Sequence, residues 1–240
     1  MEALNLYLGY DRREDEAYRV AEHSCIATAS GPVRIHPLDI DDLYRRHLLW
    51  RPVEHCDGRM FDYLSGAYQS TEFAASRFLV QELQRTGWAV FADCDVVFLR
   101  DIHEIMEHAD PKYAVCVVKH EHVPVEATKM DGQPQSAYAR KNWSSVMLWN
   151  CDHPAHRRLS LAMLNYYPGE LLHRFFWLRD SEIGSLPPDW NWLVNVERRP
   201  ERLAIAHFTL GHPALPNWEP ARNDEIWWEA QARMKADEPA

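Results

Sequence analysis

Residues 88–99 read WAVFADCDVVFL and place two acids between apolar runs. The run Trp88–Ala92 predicts a buried strand, and Val96–Leu99 predicts a second apolar segment directly after Asp93 and Asp95. In an open α/β sheet ligands bind beyond the carboxyl ends of the strands, which is where this strand would release both acids. Aspartates two positions apart in an extended segment point to the same side, so the pair could hold a divalent cation.

An Asp-x-Asp pattern alone is a weak signal, because acidic pairs are common in solvated turns. The position of Asp93 and Asp95 beside two apolar runs strengthens the metal hypothesis. Burying unpaired carboxylates is costly, so a cation or a cationic partner is expected next to them.

Strands and helices are predicted to alternate along the chain. The first β-α-β unit consists of a strand at Leu4–Leu8, a helix from about Glu14 to Ala29 and a strand at Val33–Leu38. Residues 50–70 lack periodicity and predict a loop that could cover a site. Further helices are predicted at residues 71–83, 155–165 and 224–235, and further strands at 113–119, 145–149 and 203–208. We therefore predict an α/β fold with a mixed, mostly parallel sheet flanked by helices, in one domain over residues 1–240, with residues 219–240 forming a helical tail packed on it.

Composition excludes several classes of protein. The 240 residues are 46% hydrophobic and 12% aromatic, which is enough for a substantial core. The net charge of −10 argues against nucleic acid as the main partner. No apolar run approaches the roughly 18 residues of a membrane span, and the first residues do not resemble a secretion signal, so a cytoplasmic protein is expected. The five scattered cysteines suggest neither a disulfide framework nor a zinc cluster.

Several motifs, in order along residues 4–218, resemble family-eight glycosyltransferases, which have the GT-A fold and an Asp-x-Asp motif. They are LYLGYD at residues 6–11, AASRF at 74–78, FADCDVVF at 91–98, NWSSVMLWN at 142–150, and HFTLG at 207–211 followed by Trp218.

The resemblance implies a hexosyl- or pentosyltransferase that uses a nucleotide-sugar donor, most often a UDP-sugar, with Mn²⁺ or Mg²⁺. It favours retention of configuration, although the residues themselves leave the stereochemistry open. It implies Asp93, Asp95 and His207 as metal ligands. The donor-binding residues that it implies are Tyr10, Asp11, Arg77, Asp93, Ser144, Ser145, Gly211 and His212.

Two departures from the family pattern leave roles open. Pro216-Asn217-Trp218 stands where the family has Lys-Pro-Trp, so the phosphate contact of the lysine is unassigned and His212 is the substitute considered. A glutamine expected near Ser181 is absent, so Asp180 or Glu182 could orient the acceptor hydroxyl or act as its base. In a retaining enzyme the leaving phosphate itself could accept that proton.

Alternative interpretations concern both residues and function. Trp190 and Trp192 follow a proline-rich loop and could bind the acceptor, or could simply pack in the core. The pair in His120-Glu121-His122 could bind a metal, but a polar strand end is the simpler interpretation. Nucleotidyl transfer to a sugar phosphate and a non-enzymatic carbohydrate-binding module are the alternative functions. The acceptor is left open among lipid-linked glycans, polysaccharide precursors, proteins and modified nucleic acid.

Overall fold

The computed structural model describes residues 2–56, 59–121, 140 and 142–237. Within these ranges the strands are, in chain order, β1 (Leu4–Gly9), β2 (Val33–Leu38), β3 (Val53–Cys56), β4 (Arg59–Asp62), β5 (Ala67–Gln69), β6 (Trp88–Ala92), β7 (Val96–Phe98), β8 (Val115–Val117), β9 (Val146–Asn150), β10 (Ile183–Ser185), β11 (Trp192–Leu193) and β12 (Ile205–His207). The α-helices are α1 (Asp15–Thr28), α2 (Ile40–Arg45), α3 (Val80–Gln84), α4 (Leu161–Tyr166), α5 (Gly169–His173) and α6 (Asp224–Asp237).

The main sheet has six strands in the order β10-β8-β9-β6-β1-β2. Strand β9 runs antiparallel to both of its neighbours, whereas the other pairs are parallel, so five strands share one direction. Pro37 lies in β2, at the edge of the sheet, where a missing N–H is tolerated. The mixed, mostly parallel sheet of the predicted α/β fold is therefore confirmed.

A second, three-stranded sheet with the order β11-β12-β7 begins where β6 ends. The chain leaves the main sheet at Ala92, passes through Asp93 and Asp95, and enters β7 at Val96. Strand β12 runs antiparallel to β7 with His207 opposite Val96. The acidic pair therefore lies at the junction of the two sheets.

The prediction of a loop at residues 50–70 is wrong, because β3, β4 and β5 form an antiparallel sheet there. In β4, Met60 and Asp62 are buried while Arg59 and Phe61 are more exposed. The buried carboxylate of Asp62 is paired with Arg51 at 2.6 Å. Strands with one buried face are recognised by alternating apolar and polar residues. Because the charged Asp62 occupies a buried position of β4, this alternation is not visible in the sequence.

Two of the predicted helices are shorter than expected and begin with 3-10 turns. The N–H groups of Ala74 and Phe78 bond the carbonyls three residues back, a tighter turn than the α-helix, and α3 begins only at Val80. The predicted helix at 155–165 divides at Ser160, whose hydroxyl caps α4 by accepting from the N–H of Met163 at 3.2 Å.

Helix α6 lies in the C-terminal stretch and packs against residues of the preceding chain. Its Trp227 is buried and meets the ring of Phe208 edge-on, with centroids 5.3 Å apart. Gln231 of the same helix donates to Glu16 at 2.6 Å. Among the helices of the described ranges, none combines the length and the apolar character that crossing a membrane requires.

Candidate metal centre and donor site

Asp93, Asp95 and His207 come together at the junction of the two sheets. Each offers one ligand atom, and these atoms lie within 4.8 Å of one another. The backbone explains the approach: the N–H of Asp93 bonds the carbonyl of Ser145 at 2.9 Å, and the N–H of Phe208 bonds the carbonyl of Asp95 at 2.9 Å. His207 Nε2 lies 3.3 Å from Asp95 Oδ1.

This donor set fits a divalent cation. Two carboxylates and one imidazole suit Mn²⁺, whereas a closed structural zinc site would take four ligands rich in cysteine or histidine. His207 is buried, and Asp95 keeps part of its side chain exposed, so the cluster has one open side.

Arg77 lies against Asp93 rather than in solvent. Its Nη1 donates to Asp93 Oδ1 at 2.7 Å and to the carbonyl of Ser144 at 3.1 Å. The guanidinium carbon lies 5.1 Å from the ring centroid of Phe73 and 5.3 Å from that of Phe91. Arg77 therefore supplies the cationic partner that a buried Asp93 requires.

The predicted donor residues Ser144 and Ser145 immediately precede β9 and lie next to this pair. Ser144 Oγ lies 2.8 Å from Nδ1 of His173, whose pKa is held well below its usual value by burial and by nearby Arg77. Ser145 Oγ donates to the carbonyl of Asn142 at 2.7 Å.

Glu14 is a site residue that the sequence reasoning did not identify. Burial, followed by the charges of Asp95 and Asp11, raises its pKa to about 8. The thiol of Cys94 donates to Glu14 Oε2 at 3.3 Å. In the sequence Glu14 is only an acid next to the first turn of α1. Acids are common at that position because they interact favourably with the positive end of the helix dipole, so Glu14 does not stand out.

The predicted donor residues of the first loop are bound to their own loop. Asp11 is completely buried and accepts from the N–H groups of Arg13 and Glu72, at 2.9 and 3.0 Å. Burial alone would raise its pKa, but the hydrogen bonds from Arg13 hold that pKa below its usual value. The hydroxyl of Tyr10 donates to Asp15 at 3.1 Å.

Gly211 and His212 follow the metal-ligand candidate His207. Gly211 has a φ of +122°, which L side chains rarely adopt. His212 is buried and stacks on Trp227 with centroids 4.5 Å apart, and neither ring nitrogen has a hydrogen-bond partner among the described residues. Burial lowers its pKa, while Asp95 and Glu16 oppose that shift. Beside it lies a cavity of about 270 Å³, lined by Val194, Asn195, Phe208, Leu210, Gly211, Trp218, Ala221 and Arg222.

Glu182 does not join the cluster. Its carbonyl accepts from the N–H of Ala114 at 2.8 Å, and the carbonyl of Ala114 accepts from Asn150 at 2.9 Å. Asn150 lies opposite Trp88, where β6 begins. Glu182 therefore lies at the edge where β6 begins and Asp93 at the edge where it ends, so the geometry gives the expected catalytic role of Glu182 no support.

The other acceptor-side candidates are Asp180, Trp190 and Trp192, and the two tryptophans flank Asn191, which contacts His207. Asp180 is exposed and paired with Arg140. Trp190 is completely buried and donates through Nε1 to His108 at 3.2 Å, and Trp192 is buried and donates to the carbonyl of Glu197 at 3.1 Å. The burial of both indoles favours the packing role over acceptor binding.

The sequence also suggested His120-Glu121-His122 as a metal-binding motif, of which His122 lies outside the described residues. His120 is buried, with Nδ1 2.8 Å from Glu197 Oε1 and Nε2 3.0 Å from the amide nitrogen of Asn191. Asn191 and Glu197 were not identified from the sequence. No spacing rule links residues that meet across a sheet junction.

Comparison with known proteins gives both a relative and a fold. No family model matches the chain. The chain is 42% identical over 228 residues to Protein CDI of Arabidopsis thaliana. The aligned region covers 92% of this chain and 83% of Protein CDI. The chain belongs to the same family as Protein CDI.

The solved structures most similar to this chain include glycosyltransferases. GlyE of Streptococcus pneumoniae TIGR4 matches with a TM-score of 0.60 at 12% identity, over 96% of this chain and 60% of that chain. The galactosyltransferase LgtC matches with a TM-score of 0.56 at 14% identity, over 96% of each chain. Mouse xyloside xylosyltransferase 1 matches with a TM-score of 0.56 at 11% identity, over 91% of this chain and 100% of that chain.

At these identities the likeness establishes the fold, which is the GT-A glycosyltransferase fold. This chain spans about 60% of GlyE and 50% of the bifunctional WbbM, which also matches. The fold alone does not give the reaction.

Proposed function

We propose that this protein is a divalent-metal-dependent glycosyltransferase. It takes a sugar from a nucleotide-diphosphate donor, most simply a UDP-sugar, and transfers it to an acceptor glycan, lipid-linked or macromolecular, with retention of configuration. The observation that carries the proposal is the meeting of Asp93, Asp95 and His207 at the carboxyl end of β6. In open α/β sheets that edge is where ligands bind.

The residues around this cluster support the proposal. Asp93 is held in place by Arg77, so its carboxylate keeps a fixed orientation without a cation. A cation bound by these ligands, Mn²⁺ or Mg²⁺, would neutralise the charge that develops on the leaving diphosphate. The N–H of Gly211 donates to the carbonyl of Phe208, and the N–H of Phe208 donates to the carbonyl of Asp95, so we place the diphosphate beside Gly211 and His212.

Thermal unfolding measured with a panel of ligands tests the proposal. The panel contains Mn²⁺ alone, UDP alone, UDP with Mn²⁺, and several UDP- and GDP-sugars with and without Mn²⁺. A ligand at 100 times its dissociation constant stabilises the folded state by about 2.7 kcal/mol, so a donor should raise the melting temperature by several degrees. We expect this rise only when the metal and a UDP compound are both present.

Asp95→Asn should abolish the joint effect of metal and nucleotide and the metal-dependent release of UDP from a UDP-sugar. Asp110→Asn is the matched control, because the Asp110 side chain is partly exposed and paired with Lys112 close to the start of β8. Nucleotide-sugar binding that needs no metal and survives Asp95→Asn would refute the proposal. Release of pyrophosphate instead of UDP would point to nucleotidyl transfer.

A further inference from the structure

A row of buried polar side chains continues behind His207. His207 Nδ1 lies 2.9 Å from Asn191 Oδ1. The amide nitrogen of Asn191 lies 2.9 Å from Ser145 Oγ and 3.0 Å from His120 Nε2. His120 Nδ1 lies 2.8 Å from Glu197 Oε1. Asn191 is completely buried, so its contacts with His207, Ser145 and His120 are made away from bulk water.

The direction of each hydrogen bond follows from the far end of this row. A carboxylate only accepts, so the bond to Glu197 requires a hydrogen on His120 Nδ1. In the neutral ring His120 Nε2 then carries a lone pair and accepts from Asn191. A hydrogen on that Nε2 would face the amide N–H of Asn191, donor against donor.

Ser145 fixes the second amide hydrogen of Asn191. Its hydroxyl hydrogen is directed to the carbonyl of Asn142 at 2.7 Å, so Ser145 Oγ accepts from Asn191. Both hydrogens of the amide therefore have acceptors, and its oxygen faces His207. The network itself assigns the amide orientation.

The consequence reaches the metal centre. Because Asn191 Oδ1 only accepts, His207 Nδ1 carries a hydrogen, and Nε2, 3.3 Å from Asp95 Oδ1, is the ring nitrogen left to bind a cation. The opposite tautomer would place an N–H at the ligand position. We propose that Asn191 is a positioning residue that fixes His207 in the metal-binding tautomer, an inference that rests on the proposed function.

The first test observes the tautomer in the metal-free protein. Long-range proton–nitrogen NMR of protein labelled with ¹⁵N-histidine distinguishes the Nδ1–H from the Nε2–H form, and His207→Gln identifies the signal by its loss. We expect a hydrogen on Nδ1 of His207 in the wild type, whether or not Nε2 carries a second one toward Asp95, and a partial or complete loss of the Nδ1 hydrogen in Asn191→Leu. A wild-type His207 with a hydrogen on Nε2 and none on Nδ1 would overturn the inference without any variant.

The second test measures the affinity for Mn²⁺ by the paramagnetic resonance of the free ion, with UDP present. Partners of metal-bound histidines typically contribute 10- to 100-fold in affinity, so Asn191→Leu should weaken binding by about that factor. Asn191→Asp keeps an acceptor toward His207 and should restore most of the affinity.

Asn165→Leu is the matched control. Asn165 is also completely buried and bonds Trp50, Leu48 and Leu161, which lie outside the cluster. It should lose stability and keep the wild-type affinity for Mn²⁺.

Equal affinity in the wild type and in Asn191→Leu would overturn the inference and leave the proposed function standing. A wild type that binds no Mn²⁺ would overturn the proposed function, and the NMR measurement then still decides whether Asn191 sets the tautomer.

Discussion

Glu14 makes the stability of this protein depend on pH in a defined window. Burial and the charges of Asp95 and Asp11 raise its pKa from 4.5 to about 8. The folded state thus binds this proton more tightly than the unfolded chain does. The stabilisation is complete below about pH 4.5, is lost as pH rises toward 8, and changes no further above that. Since a tenfold difference in proton affinity corresponds to about 1.4 kcal/mol, the raised pKa of Glu14 lowers the free energy of unfolding by at most roughly 3 kcal/mol between pH 4.5 and pH 7.

Glu14→Gln removes the charge and keeps an oxygen that can accept from Cys94. We expect the free energy of unfolding of the variant, measured with urea and without metal, to exceed that of the wild type by about 1–3 kcal/mol at pH 8 and by little at pH 4.5. Glu229→Gln, at an exposed position of α6, should leave the pH profile unchanged. Parallel profiles of the wild type and Glu14→Gln would refute the reasoning.

Three further substitutions test the packing and the charges around the site. Arg51→Met leaves the buried Asp62 carboxylate without its cation and should cost about 3–5 kcal/mol in urea unfolding at pH 7; a loss below about 1 kcal/mol would contradict this. Gly9→Ala places a methyl group 2.6 Å from ring atoms of Phe73, and a loss of about 1–3 kcal/mol is expected; an unchanged melting temperature would show that the ring moves freely. Asp95→Asn should leave the melting temperature of the metal-free protein unchanged or raised, and a marked fall would mean that the Asp95 charge stabilises the fold.

Strands β6, β8 and β9 of the main sheet could be predicted because their residues are buried on both faces, whereas the three-residue strand β10 was not predicted. Runs such as Trp88–Ala92 and Val146–Trp149 are continuously apolar, which makes them visible without any partner. The sheet at β3–β5 escaped prediction because it buries the Arg51–Asp62 ion pair. The sequence alone does not distinguish a charged residue that is buried with a partner from one that is exposed to solvent.

Some residues of the candidate site could be predicted from the sequence and others could not. Asp93 and Asp95 are neighbours in sequence at the end of an apolar strand, so their position carries the signal. His207 was suggested by the family resemblance, and its proximity depends on the register that sets it opposite Val96. The contact between His120 and Glu197 joins residues 77 positions apart, and only the folded chain brings them together.

The electrostatics of the cluster also explain why a cation would matter for stability as well as for chemistry. Asp93 is paired with Arg77 and Asp11 with Arg13, and repulsion from Asp95 and Asp11 adds to burial in raising the pKa of Glu14. A bound divalent ion would relieve this repulsion, so metal binding and folding should be coupled. Functional sites that gather like charges commonly lower the stability of the folded protein. Asp95→Asn, which removes a proposed metal ligand, should therefore not lower the stability of the metal-free protein. A structural carboxylate such as Asp62, which is paired with Arg51 in the interior, should behave in the opposite way.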